Sequence, residues 1–342
     1  MIGDSIFFVF LVTVLGYGAR SQAPPPSAAR QIAQLDNNDH LQYVLSNILK
    51  PRVVGTKGHD EVATFIASEL KTLGFDVELD SFSAYTPVFR NLTFTNIVGT
   101  INSNAAEFVA LACHYDSKYF PNDPGFVGAT DSAVPCALML NLAKVLMPYI
   151  QQIRGRNDFG LMLIFFDGEE AFQEWTQQDS VYGSKNLAAK WSNSLYQMPT
   201  TKQTIRNIDR IEVLILLDLI GAQSPRFRNY YMRTQALHNQ LVGIERYLAK
   251  AGLLNTRGFM FYPRLEFSGV DDDHRPFYEQ NVPILHIIST PFPKHWHTKY
   301  DDAEHLHWPT IKDFNRIFRV FLYQYITNRE ASFNLRSIPE YH

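Results

Sequence analysis

Four short apolar runs constrain what this chain can become: Phe108–Ala112, Leu161–Phe166, Val213–Leu217 and Ile284–Ile288. With almost no polar break, they have no wet face and read as strands buried on both sides of a sheet. Helical patterns lie between or after them, at Ala133–Met147, Ala236–Lys250 and Ile311–Ile326. The last sets Ile311, Phe314, Ile317, Phe318, Phe321 and Tyr325 on one face. Upstream, Asp60–Leu73 carries a helical stripe of Val62, Phe65, Ile66, Leu70 and Leu73, with Gly74 as its stop. Phe75–Asp80 then alternates like a strand with one wet face. Strands alternating with helices predict an α/β fold around a mostly parallel sheet.

The polar residues gather just after these strands. Cys113-His114-Tyr115-Asp116 follows the first run, Asp167-Gly168-Glu169-Glu170 the second, and Asp218 the third. His297 comes shortly after the fourth. Ligand sites in open α/β sheets form at the carboxyl ends of strands, so the four coincidences point to one site. The Glu169-Glu170 pair is the most informative. Adjacent carboxylates at the mouth of a buried strand repel each other and lose hydration, and a nearby cation offsets both costs. One Glu can bind a metal while its neighbour stays free as a base.

Length and apolar content suffice for one large domain: 342 residues, 46% hydrophobic. The net charge of -3 comes without any long charged run, which disfavours nucleic-acid binding and polybasic membrane attachment. Ile6–Leu15 is a ten-residue apolar core followed by Gly16, Gly18 and Ala19, and residues 1–19 read as a signal peptide. Asp4 and the absence of an early Lys or Arg leave an uncleaved anchor as the alternative. Residues 20–30, with Pro24-Pro25-Pro26, read as a linker, and residues 31–342 as a single catalytic domain. Such a chain is expected to be secreted and free of the membrane once cleaved. Asn91-Leu92-Thr93 is then a glycosylation acceptor on a surface loop. Cys113 and Cys136, flanking a candidate ligand, form either a disulfide or two buried thiols. Nothing fixes the oligomeric state, and a monomer is the default expectation.

The motifs resemble one family along most of the chain. Cys113-His114-Tyr115-Asp116-Ser117-Lys118, Gly128-Ala129-Thr130-Asp131-Ser132-Ala133-Val134-Pro135-Cys136 and Phe166-Asp167-Gly168-Glu169-Glu170-Ala171-Phe172 with Trp175 are similar to animal glutaminyl-peptide cyclotransferases. So are Leu217–Ala222, Asp272–Phe277 and Pro291–Thr298. The resemblance implies a fold shared with zinc aminopeptidases, a mixed central sheet with helices on both faces. It implies one Zn²⁺ per chain on Asp131, Glu170 and His297, with Glu169 as base and Asp218 and Asp272 in an acidic network behind it. It also implies a pocket lined by Trp175, Phe292 and Trp296, with His286 nearby. Two carboxylates and an imidazole suit zinc and leave a fourth position open.

The activity so implied is cyclisation of N-terminal glutamine in peptides and proteins to pyroglutamate, with release of ammonia. N-terminal glutamate is plausible as a slower substrate. The rival is a dinuclear zinc aminopeptidase using His114, Asp131, Glu170, Asp218 and His297, and sequence spacing does not exclude it. Blander readings exist for single residues. Asp131 could cap the following helix, Asp218 could pair with an Arg, Asp272 could sit in a solvated acidic loop, and His286 could be a core histidine. His295 and His305 read as surface residues.

Overall fold

The computed structural model describes residues 26–267, 269–327 and 335–337. The expected signal peptide lies outside the described residues. Eight helices and ten strands are named in chain order. The first are α1 (Pro26–Gln34), α2 (Asn38–Ile48) and α3 (Lys57–Thr72), followed by β1 (Asp76–Thr86), β2 (Arg90–Ile101), β3 (Glu107–His114), α4 (Val134–Ile150) and β4 (Phe159–Phe166). Next come α5 (Tyr182–Asn193), β5 (Leu195–Gln197), β6 (Thr204–Arg206), β7 (Ile211–Asp218) and β8 (Phe227–Asn229). The last are α6 (Gln235–Lys250), β9 (Phe261–Leu265), α7 (Arg275–Tyr278), β10 (Ile284–Ile288) and α8 (Trp308–Thr327).

Six strands form the central sheet in the order β1-β2-β4-β3-β7-β10. The neighbours β4-β3-β7-β10 are all parallel, whereas the hairpin β1-β2 joins β4 antiparallel. The sheet is thus mixed and mostly parallel, as expected. The four apolar runs are its parallel core. Alternate residues serve opposite faces: Val109, Leu111, Leu163, Phe165, Ile215 and Leu217 pack toward α1–α4, α6 and α8. Ala110, Ala112, Ile164, Phe166, Leu214 and Leu216 pack toward α5 and α7. Helices on both faces leave no wet side, which explains the unbroken hydrophobicity of these strands.

Gly74 does end α3. It sits at φ 81, and its N–H and that of Phe75 return to the carbonyls of Lys71 and Leu70. Two local expectations need adjusting. Helix α1 begins at Pro26, inside the stretch read as linker, because Ala29, Ile32 and Ala33 are buried in the core. Asn91 lies not on a loop but as the exposed second residue of β2, beside the hairpin turn. Cys113 and Cys136 form a disulfide, with Cα atoms 5.7 Å apart, that ties the end of β3 to the start of α4.

Candidate metal centre and active site

Most acidic and histidine site residues sit where a strand of the parallel core stops, or on the loop that follows; His286 lies inside β10 and Asp272 just before α7. His114 is the last residue of β3, Asp218 the last of β7, and Asp167–Glu170 directly follow β4. Asp131 lies on the loop between β3 and α4, and His297 on the segment after β10. Asp131 does not cap α4, whose N-cap is Ala133 without a side-chain hydrogen bond.

These elements bring Asp131, Glu170 and His297 into one cluster. Nε2 of His297 lies 3.2 Å from Asp131 Oδ2 and 3.3 Å from Glu170 Oε1. Each carboxylate is held by its other oxygen. Nε2 of His114 lies 3.0 Å from Asp131 Oδ1, and Lys118 Nζ donates to Glu170 Oε2 at 3.2 Å. The two remaining oxygens, both buried, have no hydrogen-bond partner. Two buried, unpartnered carboxylate oxygens beside one imidazole are a donor set that fits a divalent metal. All three ligand atoms are close enough for one ion.

Backbone hydrogen bonds fix the Glu169-Glu170 pair. One oxygen of buried Asp116 accepts the Glu169 N–H at 3.1 Å and the other the Glu170 N–H at 3.2 Å. Asp167 anchors the same turn, accepting from Thr95 N–H at 2.6 Å and bonding His59 Nε2 at 2.8 Å. Glu170 therefore faces the cluster, while Glu169 belongs to none of the metal-competent groups among the described residues.

The electrostatics follow from packing so many acids in a dry space. Burial, with the charges of Glu170, Asp272 and Asp273, pushes the Glu169 carboxyl well above its ordinary value, against the opposing pull of His114. Burial and the neighbouring Asp272 and Asp131 push Asp218 up to about 6. Burial alone would lower the His297 imidazole, but Asp131 and Glu170 outweigh it and hold it at about 9 in the absence of metal. His114 is likewise raised by the carboxylates around it, despite burial. Clustered carboxyls raised in this way hold their protons to higher pH than isolated ones.

Asp272 is buried and bonds His286 Nε2 at 2.7 Å. Of the Asp271–Asp273 triplet only Asp271 is exposed, so the solvated-loop reading fails for the other two. Phe292 and Trp296 meet edge to face at 4.7 Å, and Trp296 stacks on the His297 ring at 3.7 Å. Trp175 is 42% exposed. His305 is exposed and bonds Asp302, whereas His295 is half-buried against Tyr300 and His305. The sequence reading gave no role to Asp116, Lys118 or Asp301, which holds the Thr130 N–H at 2.8 Å. Asp116 and Lys118 stand inside a quoted motif, the one available signal. Asp301 had none.

Residues 96–322 match the family model described as Peptidase family M28, a class that the sheet and the carboxylate–imidazole cluster fit. A glutaminyl-peptide cyclotransferase of Drosophila melanogaster is 41% identical over 308 residues, covering 86% of this chain and 83% of that protein. One from Bos taurus is 40% identical over 312 residues, covering 88% and 86%. The crystal structure of Macrostomum lignano glutaminyl cyclase superposes with a TM-score of 0.80 at 36% identity, covering 87% and 92%. The chain belongs to the glutaminyl-peptide cyclotransferase family.

Proposed function

We propose that this enzyme converts N-terminal glutamine of peptides and proteins to pyroglutamate, with one zinc held by Asp131, Glu170 and His297. The observation that carries the reading is the division of labour in Glu169-Glu170: one carboxylate completes the cation site, and its neighbour is left outside it with a raised pKa. A bound zinc supplies Lewis-acid polarisation of the substrate's side-chain carboxamide.

Glu169 takes a proton from the α-amine as its nitrogen bonds to the carboxamide carbon of the same residue. The bond to the side-chain nitrogen breaks, Glu169 returns the proton to that nitrogen, and ammonia leaves. Both reacting groups belong to one residue, so the protein mainly selects a ring-forming conformer. A raised pKa suits Glu169 to accept and return one proton near neutral pH. Asp218 and Asp272 complete the acidic wall, and the bond to His286 holds Asp272 in place. Phe292, Trp296 and Trp175 line the pocket and keep water from the acyl centre, with the Trp296 indole N–H as a donor. We further propose that the protein is secreted as a monomer. The apolar segment Ile6–Leu15, the exposed acceptor Asn91 and the disulfide support the secretory route.

One observation favours a two-metal aminopeptidase: His114, Asp131 and Asp218 also form a metal-competent group, sharing Asp131 with the first. Against it stand the relatives that match most of this chain, which are glutaminyl-peptide cyclotransferases. The test uses purified protein with a Gln-initiated and a Leu-initiated peptide, with and without a heterocyclic chelator. Chelator-sensitive ammonia release from the Gln peptide, its chain intact and one zinc bound, is expected. Removal of the first residue with two metals bound would establish the aminopeptidase instead.

A further inference from the structure

The Asp131 loop is tightly folded. Gly128 has φ 48, and a Cβ there would lie 2.1 Å from the Asp131 carbonyl oxygen. Asp301 holds one side of this loop, through Ala129 N–H to its carbonyl at 2.9 Å and Thr130 N–H to its carboxylate. A single buried cation holds the other. Arg52, in the turn between α2 and α3, has no exposed surface. Its Nε donates to Tyr115 O at 2.8 Å, and its Nη1 to Val127 O. Its Nη2 donates to Gly128 O at 3.0 Å and to Asp131 O at 3.3 Å. Arg52 is itself pinned: its N–H donates to Ser117 Oγ at 3.0 Å, and its carbonyl accepts from Ser117 N–H at 3.3 Å.

The acceptors of the guanidinium are all backbone carbonyls. The fork therefore makes no ion pair but joins two stretches of main chain, one just after β3 and one carrying Asp131. Without it, the carbonyls of Tyr115, Gly128 and Asp131 would each lose a buried donor, which is costly where no other partner replaces it. A planar group with five donors in fixed directions can satisfy such a set, whereas a lysine ammonium cannot span it.

We propose that Arg52 is a positioning residue for the metal centre, fixing the main chain of the Asp131 loop in its binding geometry before a metal arrives. The proposal rests on the reading of Asp131 as a metal ligand. Residues that orient a ligand from outside the coordination sphere typically change metal affinity by about 10–100-fold. Zinc affinity is measured by competition with a chromophoric chelator, for the wild-type protein and for Arg52→Lys. The variant is expected to bind zinc at least ~10-fold more weakly while its metal-free form still melts cooperatively. A folded Arg52→Lys with affinity within about twofold of wild type overturns the proposal alone. No zinc uptake by wild type overturns the metal reading and the proposal with it. Should Arg52→Lys not fold, hydrogen exchange on the wild type decides. Protection of residues 128–133 that survives chelation supports a loop set in advance, and its loss on chelation overturns that.

Discussion

Breaking the Cys113–Cys136 disulfide should cost more stability than its position beside the active site suggests. The bridge joins residues 23 apart in sequence. The chain-entropy relation for a loop of that length gives about 3.4 kcal/mol of destabilisation when the cross-link is removed from the unfolded state. The enclosed segment contains His114, Asp116, Lys118 and Asp131, so the residues around the metal cluster lose their constraint together. Both cysteines are fully buried, and the Cys113→Ala/Cys136→Ala pair adds a small packing loss. Urea unfolding of the zinc-loaded protein, followed by circular dichroism at equal m-value, reads the difference. The expected loss is about 3–4 kcal/mol. A loss below ~1 kcal/mol would refute the loop-entropy reasoning for this bridge.

Glu169→Gln should lower turnover by about 10²–10⁴-fold, the usual worth of a general base, with zinc retained. Glu170→Ala should lose the metal, and full occupancy there would show the two glutamates to be exchanged. His238 is fully buried, and burial lowers its pKa from 6.5 to about 4, a backbone contact with Phe227 offsetting little. The folded state therefore resists protonation, so stability is whole above pH 6.5 and falls as pH drops toward 4. The total is about 3 kcal/mol. His238→Leu should flatten that acid slope in urea titrations at pH 7.5 and 5 (working values bracketing about the ordinary imidazole pKa), and an unchanged slope would exclude His238 as its source. In Gly183→Ala the new Cβ would lie 2.2 Å from Asn96 Oδ1 and 2.4 Å from Asp167 O, at the turn leading to Glu169. It should destabilise by about 1–3 kcal/mol, and a neutral urea midpoint would count against the close approach.

The parts of the fold legible in the sequence were those whose environment leaves one kind of residue acceptable. Strands β3, β4, β7 and β10 are covered on both faces, so their apolar runs stood out unaided. Strand β2 was not seen. Its first half is largely exposed and carries Arg90, Asn91, Thr93 and Thr95, and only the part that pairs with β4 is mostly buried. Helix α5 was missed for a similar reason: Tyr-Gly-Ser-Lys-Asn opens it without a capping signal, and its place is set by packing on β2 and by Gly183 against Asp167. The site was half legible. Asp131, Glu169, Glu170 and His297 stood out as candidates because charge at the mouth of an apolar strand is rare and the motifs resemble a family, and the fold brings Asp131, Glu170 and His297 together.

Composition and local pattern determined which residue types stand at the strand ends, and so that acids and histidines gather in one candidate site. They did not determine which of three adjacent aspartates is exposed, that Asp116 holds both glutamates by their backbone, or that a distant Arg52 binds the Asp131 loop. Those were decided by tertiary structure alone, because burial and hydrogen-bond direction depend on which segments are stacked over a residue. That stacking joins residues as far apart in the chain as Thr130 and Asp301.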